Sequence, residues 1–428
     1  MTASHAISSE EIDQRLSDLI ESRPEAIARP FALYQDMLAL EEPYRWGPTV
    51  VVSRMSDIRM ILKDHRRFSN RAHAVGSRPE ARRAAMQPHE QAAFDEVTEF
   101  EELIISRTDG AQHARLRSIV QRAFTPRKIA MLGDETQAFT TALFDRMVER
   151  GETNIAASVT QELPVMMICS LLNVDQAEAP LIQGWSAKIG KNRGAAVVAD
   201  LMGAHEALKE FRAYVIEKIE HHRRFPDSTN LVSTLMGASD DERLSEDELV
   251  AMVLILLFAG ADTTKALLGN GTLALLSDQA QWERFRDDPD EAVAGLTEEL
   301  IRFVSPVQTL WRVTTEPVTL HGVEIEAGTT ILLLMGAASR DPSLFEDPDR
   351  LDIDRTESRD HISFGHGTHF CLGTSLARME CGAYFTELAT RFPDVRLAQD
   401  PEAVEWGGNI QFRCITGLEV DLGEERRR

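Results

Sequence analysis

Apolar residues recur three or four positions apart over much of the chain, which is the spacing of one face of an α-helix. This period predicts well-formed helices over four stretches, 134–150, 203–222, 245–277 and 290–304. Strand-like alternation is confined to short stretches, at 49–53, 318–325 and 330–335. The pattern therefore predicts a mainly α protein with small antiparallel β-sheets.

The longest of these helices carries a clear start signal. Ser245 is followed three residues later by Glu248, which is a capping box. The periodic pattern then continues for about 30 residues, or about 45 Å of helix. Its apolar run, residues 249–261, is shorter than the roughly 20 residues that span a bilayer, so we expect a buried helix.

The chain shows no internal repeat and no low-complexity linker, and its prolines and glycines are dispersed. We therefore expect a single domain over residues 1–428, with a flexible stretch at 1–25. Residues 70–105 have weak periodicity and many charges, which predicts an irregular segment that is a candidate for a mobile lid.

The composition excludes several classes of protein. The formal net charge is 46 minus 69, or −23, which argues against binding to nucleic acid or to anionic lipid. The four cysteines (169, 371, 381 and 414) have no paired short spacing, so neither a disulfide framework nor a zinc site is predicted. The N-terminal 30 residues lack the apolar segment of a signal peptide. We expect a soluble, cytoplasmic protein.

Cys371 lies in a turn rich in glycine, with Gly365, Gly367 and Gly373 around it. Glycines permit positive φ and a close approach to a flat ligand. The pattern of Leu372, Leu376, Met379 and Ala383 predicts a core-facing helix directly after the turn, whose positive end would favour a thiolate. The segment suits a metal-bound thiolate, and the alternative is a buried structural cysteine.

The long helix contains an acid and an alcohol side by side, Asp262 and Thr263, within an apolar stretch. One interpretation is a proton relay, in which the hydroxyl donates a proton and the carboxyl group resupplies it through water. The other is structural: the hydroxyl bonds back to a helix carbonyl and Asp262 pairs with a cation.

A second charged pair, Glu299 and Arg302, lies one helical turn apart among apolar residues. If it is buried, a further partner must offset the desolvation of the charges, and Arg355 is the candidate. This group is predicted to be scaffold.

Four more cations are candidates for holding the carboxylates of a cofactor. They are His113 and Arg117, which lie on one helix face, together with Arg312 and His369. The alternative for each is a solvated surface cation.

The stretch from 107 to 128 carries six basic residues against one acid, Asp109, and includes Arg115, Arg122 and Lys128. It is either an ordinary solvated helix face or a docking patch for an acidic electron carrier.

Taken together, these motifs resemble the cytochrome P450 family, in its bacterial, soluble form. The resemblance covers most of the chain from about 113 onwards. It rests on three motifs that occur in the family's order, 259–264, 299–302 and 364–373. It implies the P450 fold, a helix-rich large domain with a long central helix over a heme.

The resemblance also implies site roles. Cys371 is the expected iron ligand of heme b, and its sulfur donates electron density that favours O–O cleavage. His113, Arg117, Arg312 and His369 are the expected propionate partners, and Asp262 and Thr263 the expected proton-delivery pair. The implied reaction is oxygen insertion from O2 into a small-to-medium, mostly apolar molecule, by hydroxylation or oxidative dealkylation, with electrons from a ferredoxin and its reductase.

The resemblance further implies a substrate pocket lined by Phe258, Ala259, Val307, Gln308, Leu310, Ile410 and Gln411, with Gln308, Thr309 and Gln411 as polar anchors. The alternatives on the same scaffold are a peroxygenase, an atypical oxidative-coupling enzyme and a non-catalytic heme sensor. A sensor would keep Cys371 but would not need Asp262 and Thr263.

Overall fold

The structure is a computed structural model that describes residues 8–72, 77–192, 198–225, 231–236 and 244–426. Helices form most of it: α1 Ser9–Ile20, α2 Pro24–Ala28, α3 Phe31–Ala39, α4 Met55–Lys63, α5 Ser77–Ala84, α6 Pro88–Glu101, α7 Gly110–Ala123, α8 Pro126–Ala130, α9 Gly133–Arg150, α10 Leu163–Leu172, α11 Ala179–Gly190, α12 Val198–Arg224, α13 Leu231–Met236, α14 Glu246–Ser277, α15 Gln279–Asp287, α16 Pro289–Val304, α17 Met335–Ala338 and α18 Thr374–Arg391.

The strands are short: β1 Tyr44–Trp46, β2 Thr49–Val52, β3 Phe68–Ser69, β4 Thr309–Thr314, β5 Val318–Leu320, β6 Val323–Ile325, β7 Thr330–Leu334, β8 Arg396–Leu397, β9 Trp406–Gly408, β10 Arg413–Ile415 and β11 Val420–Asp421. The largest sheet has the order β1-β2-β7-β4-β3. Its β2–β7 pairing is parallel, with Thr49 opposite Thr330, so the sheets are not all antiparallel as expected. A parallel pair is possible here because a long crossover separates the two strands.

The predicted helices form close to their expected bounds. The Ser245 hydroxyl accepts from the Glu248 N–H at 3.1 Å, and the Ser245 N–H donates to the Glu248 carboxylate at 2.9 Å, so the capping box starts α14. Residues 9–20 differ from the expected flexibility of 1–25, because they form a helix whose Leu16 is fully buried.

Helix α14 runs for 32 residues through the centre of the protein. It is long and apolar enough to cross a membrane, yet 61% of its most apolar window is buried inside the protein. It packs against α10, α12, α16, α18 and β10. At Gly260, an added Cβ would lie 2.9 Å from Ile168 Cδ1, so glycine permits the close approach of α10. The helix is the core of the fold, as its sequence predicted.

The Glu299–Arg302 pair on α16 is fully buried and has the third partner that the sequence predicted. Arg302 donates to both oxygens of Glu299, at 2.8 and 2.7 Å, and Arg355 Nε donates to Glu299 at 3.3 Å. The Asp352 N–H also donates to the Glu299 carboxylate, at 3.0 Å. This cluster ties α16 to the loop that leads towards Cys371.

Candidate functional site

A cavity of about 540 Å³ lies between α14 and the Cys371 turn. Its wall also includes α5, α6, the start of β4 and the segment around Ile410 to Phe412. Cys371, the four candidate cations and the Asp262–Thr263 pair all line this one cavity. The fold therefore brings together residues that are separated by up to about 260 positions in the sequence.

The Cys371 turn is shaped by its glycines and by one backbone hydrogen bond. Gly365 and Gly367 both have a φ of +73°, a conformation that other residues rarely adopt. A Cβ on Gly367 would lie 2.7 Å from the Leu62 carbonyl oxygen of α4, so that position has no room for a side chain. The Cys371 N–H donates to the Phe364 carbonyl at 2.9 Å and closes the turn.

The Cys371 sulfur accepts a hydrogen bond from the Gly373 N–H at 3.3 Å. Burial raises the pKa of the Cys371 thiol, and the Gly373 N–H and the Arg117 and Arg378 guanidinium groups offset only part of this effect. A bound metal ion removes such a proton outright, because the metal charge stabilises the thiolate directly.

His113, Arg117, Arg312 and His369 converge at the rim of the turn. The rings of His113 and His369 stack with centroids 3.9 Å apart, and Arg117 Nη2 donates to the Phe370 carbonyl at 2.7 Å. Burial and the neighbouring His369 and Arg117 lower the pKa of His113 to about 4. The positive charges in this cluster therefore repel one another, which disfavours protonation of the His113 ring.

The positive charge of Arg312 is only partly balanced by the groups around it. Arg312 is 5% exposed, and its described hydrogen bond goes to the neighbouring Trp311 carbonyl at 2.7 Å. Burial lowers its pKa to about 10, against the opposing effect of Asp109. The buried Nε2 of His369 makes no hydrogen bond within the part of the chain that the structure describes, and it lies 3.6 Å from Asp109.

The carboxylate within this cluster is Asp109, which sequence analysis counted only as the acid of a basic stretch. Ser69 donates to it at 2.5 Å, and the Asn70 N–H donates at 3.0 Å. Burial alone would raise the pKa of Asp109, but these donors and His369 lower it well below its ordinary value. Asp109 is a single negative charge in a cluster that holds two guanidinium groups, Arg117 and Arg312, and two imidazole rings, so the donor set fits a dianionic ligand such as a porphyrin with two propionates.

On α14, both interpretations of the acid–alcohol pair have contacts that fit them. The Thr263 hydroxyl donates to the Ala259 carbonyl at 2.6 Å, and Lys265 donates to Asp262 at 3.3 Å. Both Asp262 and Thr263 nevertheless line the cavity. The structural bonds hold the two side chains in place where a proton path would need them.

Six of the seven expected pocket residues line the cavity: Phe258, Ala259, Val307, Leu310, Ile410 and Gln411. The prediction for Gln308 is wrong. It is 4% exposed, accepts from the Tyr34 hydroxyl at 2.8 Å and donates to the Val304 and Ser305 carbonyls. Thr309 likewise donates to the Ile410 carbonyl at 3.1 Å instead of facing the cavity. Gln308 precedes β4, which begins at Thr309, and these hydrogen bonds hold its side chain in the core.

Residues 70–105 are not the irregular segment that was expected, because α5 and α6 occupy most of it. Gln87 with Glu90, and Pro88 at the first helical position, start α6 and are the signals that sequence analysis missed. The two helices contribute Arg82, Phe94, Thr98 and Glu101 to the cavity wall.

The basic stretch 107–128 is only partly a surface patch. Arg107 pairs with Glu101 and lines the cavity, and Arg115 pairs with the Glu248 carboxylate of α14. Arg122 is exposed, whereas the side chain of Lys128 lies outside the described residues. The positive charge available to a partner is therefore smaller than the sequence count indicates.

Comparison with known proteins connects this site to one family. Residues 197–402 match the family model described as Cytochrome P450. The chain is 38% identical over 321 residues to the polyketide biosynthesis cytochrome P450 PksS of Bacillus subtilis, covering 74% of this chain and 77% of that protein. It is 35% identical over 320 residues to 6-deoxyerythronolide B hydroxylase of Saccharopolyspora erythraea, with 74% and 77% covered.

Solved structures agree with the sequence relatives. The structure of Bacillus subtilis PksS superposes with a TM-score of 0.82 at 32% identity, covering 94% of this chain and 98% of that one. The chain therefore belongs to the cytochrome P450 family of heme-containing monooxygenases.

Proposed function

We propose that this protein inserts one oxygen atom from O2 into a small-to-medium, mostly apolar organic substrate, by hydroxylation or oxidative dealkylation, with heme b as cofactor. The observation that carries the proposal is the shared cavity: a turn-held cysteine, an under-compensated group of cations and an acid–alcohol pair all face it. We also propose that residues 1–428 act as one cytoplasmic domain.

In this proposal Cys371 would ligate the heme iron. His113, Arg117, Arg312 and His369 would hold the two propionates, which would supply the negative charge that the cluster lacks. When bound, the heme supplies the activation of oxygen. The protein's own groups fix its orientation, because the Cys371 turn is held by the Phe364 carbonyl and by close packing of Gly367 on α4.

The Asp262–Thr263 pair delivers protons into the cavity. The Asp262 side chain is 38% exposed, so water reaches it, and its pairing with Lys265 holds it beside Thr263. The Thr263 hydroxyl keeps a fixed position through its bond to the Ala259 carbonyl and passes a proton inward. This pair favours a dioxygen-using enzyme over a peroxygenase or a heme sensor, neither of which needs a proton relay at this place.

The apolar character of the pocket sets the substrate class. Phe258, Val307, Leu310 and Ile410 supply most of the lining, and Gln411 supplies a polar group from the C-terminal segment. Such a lining binds an apolar body and leaves few groups to fix its orientation.

Electrons are proposed to come from a ferredoxin that docks beside the Cys371 turn. Phe370 is 42% exposed there, and Lys63 of α4 lies against Gly367. Arg122, also exposed, extends the positive surface along α7. Lys63→Gln and Arg122→Gln are each expected to raise the ferredoxin concentration for half-maximal reduction about threefold at low salt. Lys209→Gln, an exposed lysine on α12, is the control, and equal effects of all three would contradict this docking site.

The carbon monoxide difference spectrum of the reduced protein tests the proposed function. A thiolate-bound heme gives a strongly red-shifted Soret band, which Cys371→Ala is expected to abolish together with product formation. Cys169→Ala, which removes a buried thiol from the α10 core, is the matched control and keeps the band. A histidine-type band in the unaltered protein would overturn the proposal.

A further inference from the structure

Arg82 stands out on the cavity wall built by α5 and α6. Its Nη2 donates to the Asn192 side-chain oxygen at 2.9 Å, and its guanidinium lies 5.7 Å from the centre of the Phe94 ring. All three residues line the cavity. The contacts hold the guanidinium in place without matching it to an acid.

The other charges on this side of the cavity are internally paired. Arg107 pairs with Glu101, and Asp262 pairs with Lys265. Arg82, by contrast, has its described hydrogen bond to a neutral amide. Burial lowers the pKa of Arg82, and the charges of Glu101 and Asp200 offset this only in part. The guanidinium is therefore a cation that the described residues leave under-compensated.

Arg82 and its partner Asn192 share one hydrogen-bonding character towards a ligand. A guanidinium has N–H donors and no acceptor, and the Asn192 oxygen is already used by Arg82, which leaves the amide N–H groups as donors. The wall thus offers donors to a ligand group that can only accept. A carboxylate is such a group, and charge-assisted bonds to Arg are among the stronger ones. A dianionic phosphate fits less well, because Arg107 is already neutralised by Glu101.

The adjacent arginine shows that this arrangement is specific to position 82. Arg83 is exposed and donates through Nε and Nη2 to both oxygens of Asp95, at 2.7 Å each. Two consecutive arginines on one helix therefore differ: one is fully matched on the outer surface, and the other faces the cavity with a neutral partner.

We propose that Arg82 and Asn192 form a subsite for the carboxylate of the substrate, so that the substrates of this enzyme are organic acids with an apolar body. The inference rests on the proposed monooxygenase function and narrows its substrate class. The carboxylate anchors at the α5–α6 wall, and the apolar body extends past Phe94 towards Phe258 and Leu310.

Ligand titrations of the heme-loaded protein test this subsite, with dodecanoic acid and 1-dodecanol as probes that share an apolar chain. Binding is followed by calorimetry and by the change of the heme from low to high spin. We expect the unaltered protein to bind the acid about tenfold more tightly than the alcohol, since the acid adds a charge-assisted contact. Arg82→Gln is expected to lower the affinity for the acid to about that for the alcohol, and Arg82→Lys to retain part of the preference.

Arg83→Gln is the matched control and is expected to leave both affinities unchanged. Equal affinities for acid and alcohol in the unaltered protein, or an unchanged acid preference in Arg82→Gln, would overturn the subsite. Those results leave the proposed function intact if the red-shifted carbon monoxide band is present. Loss of that band in the unaltered protein would instead overturn the proposed function, while the calorimetric comparison still decides the role of Arg82.

Discussion

Two buried groups of cations in this protein differ in what completes them. In the first, Arg302 donates to both Glu299 oxygens and to the Ser339 and Pro348 carbonyls, each at 2.9 Å or less. In the second, Arg312 is almost as buried, but its described hydrogen bond goes only to the Trp311 carbonyl. The same residue type at similar depth is therefore matched by the fold in one place and left partly unmatched in the other.

The difference separates scaffold from binding site. A buried ion pair stabilises a fold only when its hydrogen bonds are complete, because desolvation of the charges is costly. The Glu299 group meets this condition without help. The hydrogen bonds of the Arg312 group are incomplete, and an anionic ligand would complete them.

Breaking the complete group is expected to have the largest effect on stability. Arg302→Met leaves the fully buried Glu299 carboxylate with weaker partners, and we expect the free energy of unfolding to fall by about 3–5 kcal/mol. Urea unfolding followed by circular dichroism measures this change. Arg350→Met, which removes an exposed ion pair to Asp352, is the control and should change stability by less than about 1 kcal/mol.

The corresponding change in the incomplete group is expected to act on heme binding instead. Arg312→Leu removes a proposed propionate partner, so heme affinity should fall about tenfold to a hundredfold, as measured by heme transfer to apomyoglobin. The urea midpoint of the heme-free protein should not fall, because an under-compensated buried charge is removed. A loss of apoprotein stability as large as that of Arg302→Met would show that the two groups do not differ.

The same contrast can be drawn between two threonines on α14. Thr263 and Thr272 both donate to the carbonyl four residues back, but Thr263 faces the cavity and Thr272 is buried against the Tyr384 hydroxyl at 2.8 Å. Thr263→Val should lower product formed per electron pair about tenfold and raise hydrogen peroxide, with little change in stability.

Thr272→Val is the matched variant for this test. It should lower the free energy of unfolding by about 1 kcal/mol and leave the coupling of electrons to product unchanged. Equal coupling in both variants would remove the proposed role of Thr263.

The smallest expected effect is on the pH dependence of stability, through the buried carboxylate of Glu298. Burial raises its pKa, but His361 and the Arg378 guanidinium, which donates at 2.5 and 3.0 Å, lower it from 4.5 to about 2. Because the folded pKa is depressed, this contribution is present above about pH 4.5 and is lost as the pH falls towards 2. Between pH 5 and pH 3, the free energy of unfolding of the unaltered protein, measured in urea, should fall by about 1 kcal/mol more than that of Glu298→Gln. Glu357→Gln, at an exposed position, should show the same pH dependence as the unaltered protein.

Local pattern was enough to predict several features of this protein. The capping box at Ser245 and Glu248 started α14 as expected, and the glycines around Cys371 marked the turn. These features depend on neighbours within a few residues, which the sequence shows directly. The prediction of Arg355 as the third partner of Glu299 also held, because a buried pair requires one.

Other features depended on contacts between distant segments. We predicted that Gln308 lines the pocket, but its side chain lies in the core. There it accepts a hydrogen bond from the hydroxyl of Tyr34, which is 274 positions away. Residues 70–105 looked irregular, although α6 is stabilised by packing against α12 and α14, and α5 packs against α6.

The sequence by itself thus determined the helical class of the protein, the turn that presents Cys371 and the acid–alcohol pair on α14, since all three are set by local spacing. Only the tertiary structure decided which cations are matched and which are left for a ligand. Matching depends on the burial of both partners and on the distance between segments far apart in the chain. That is why Arg82 and Arg83, neighbours in the sequence, differ so much in what surrounds them.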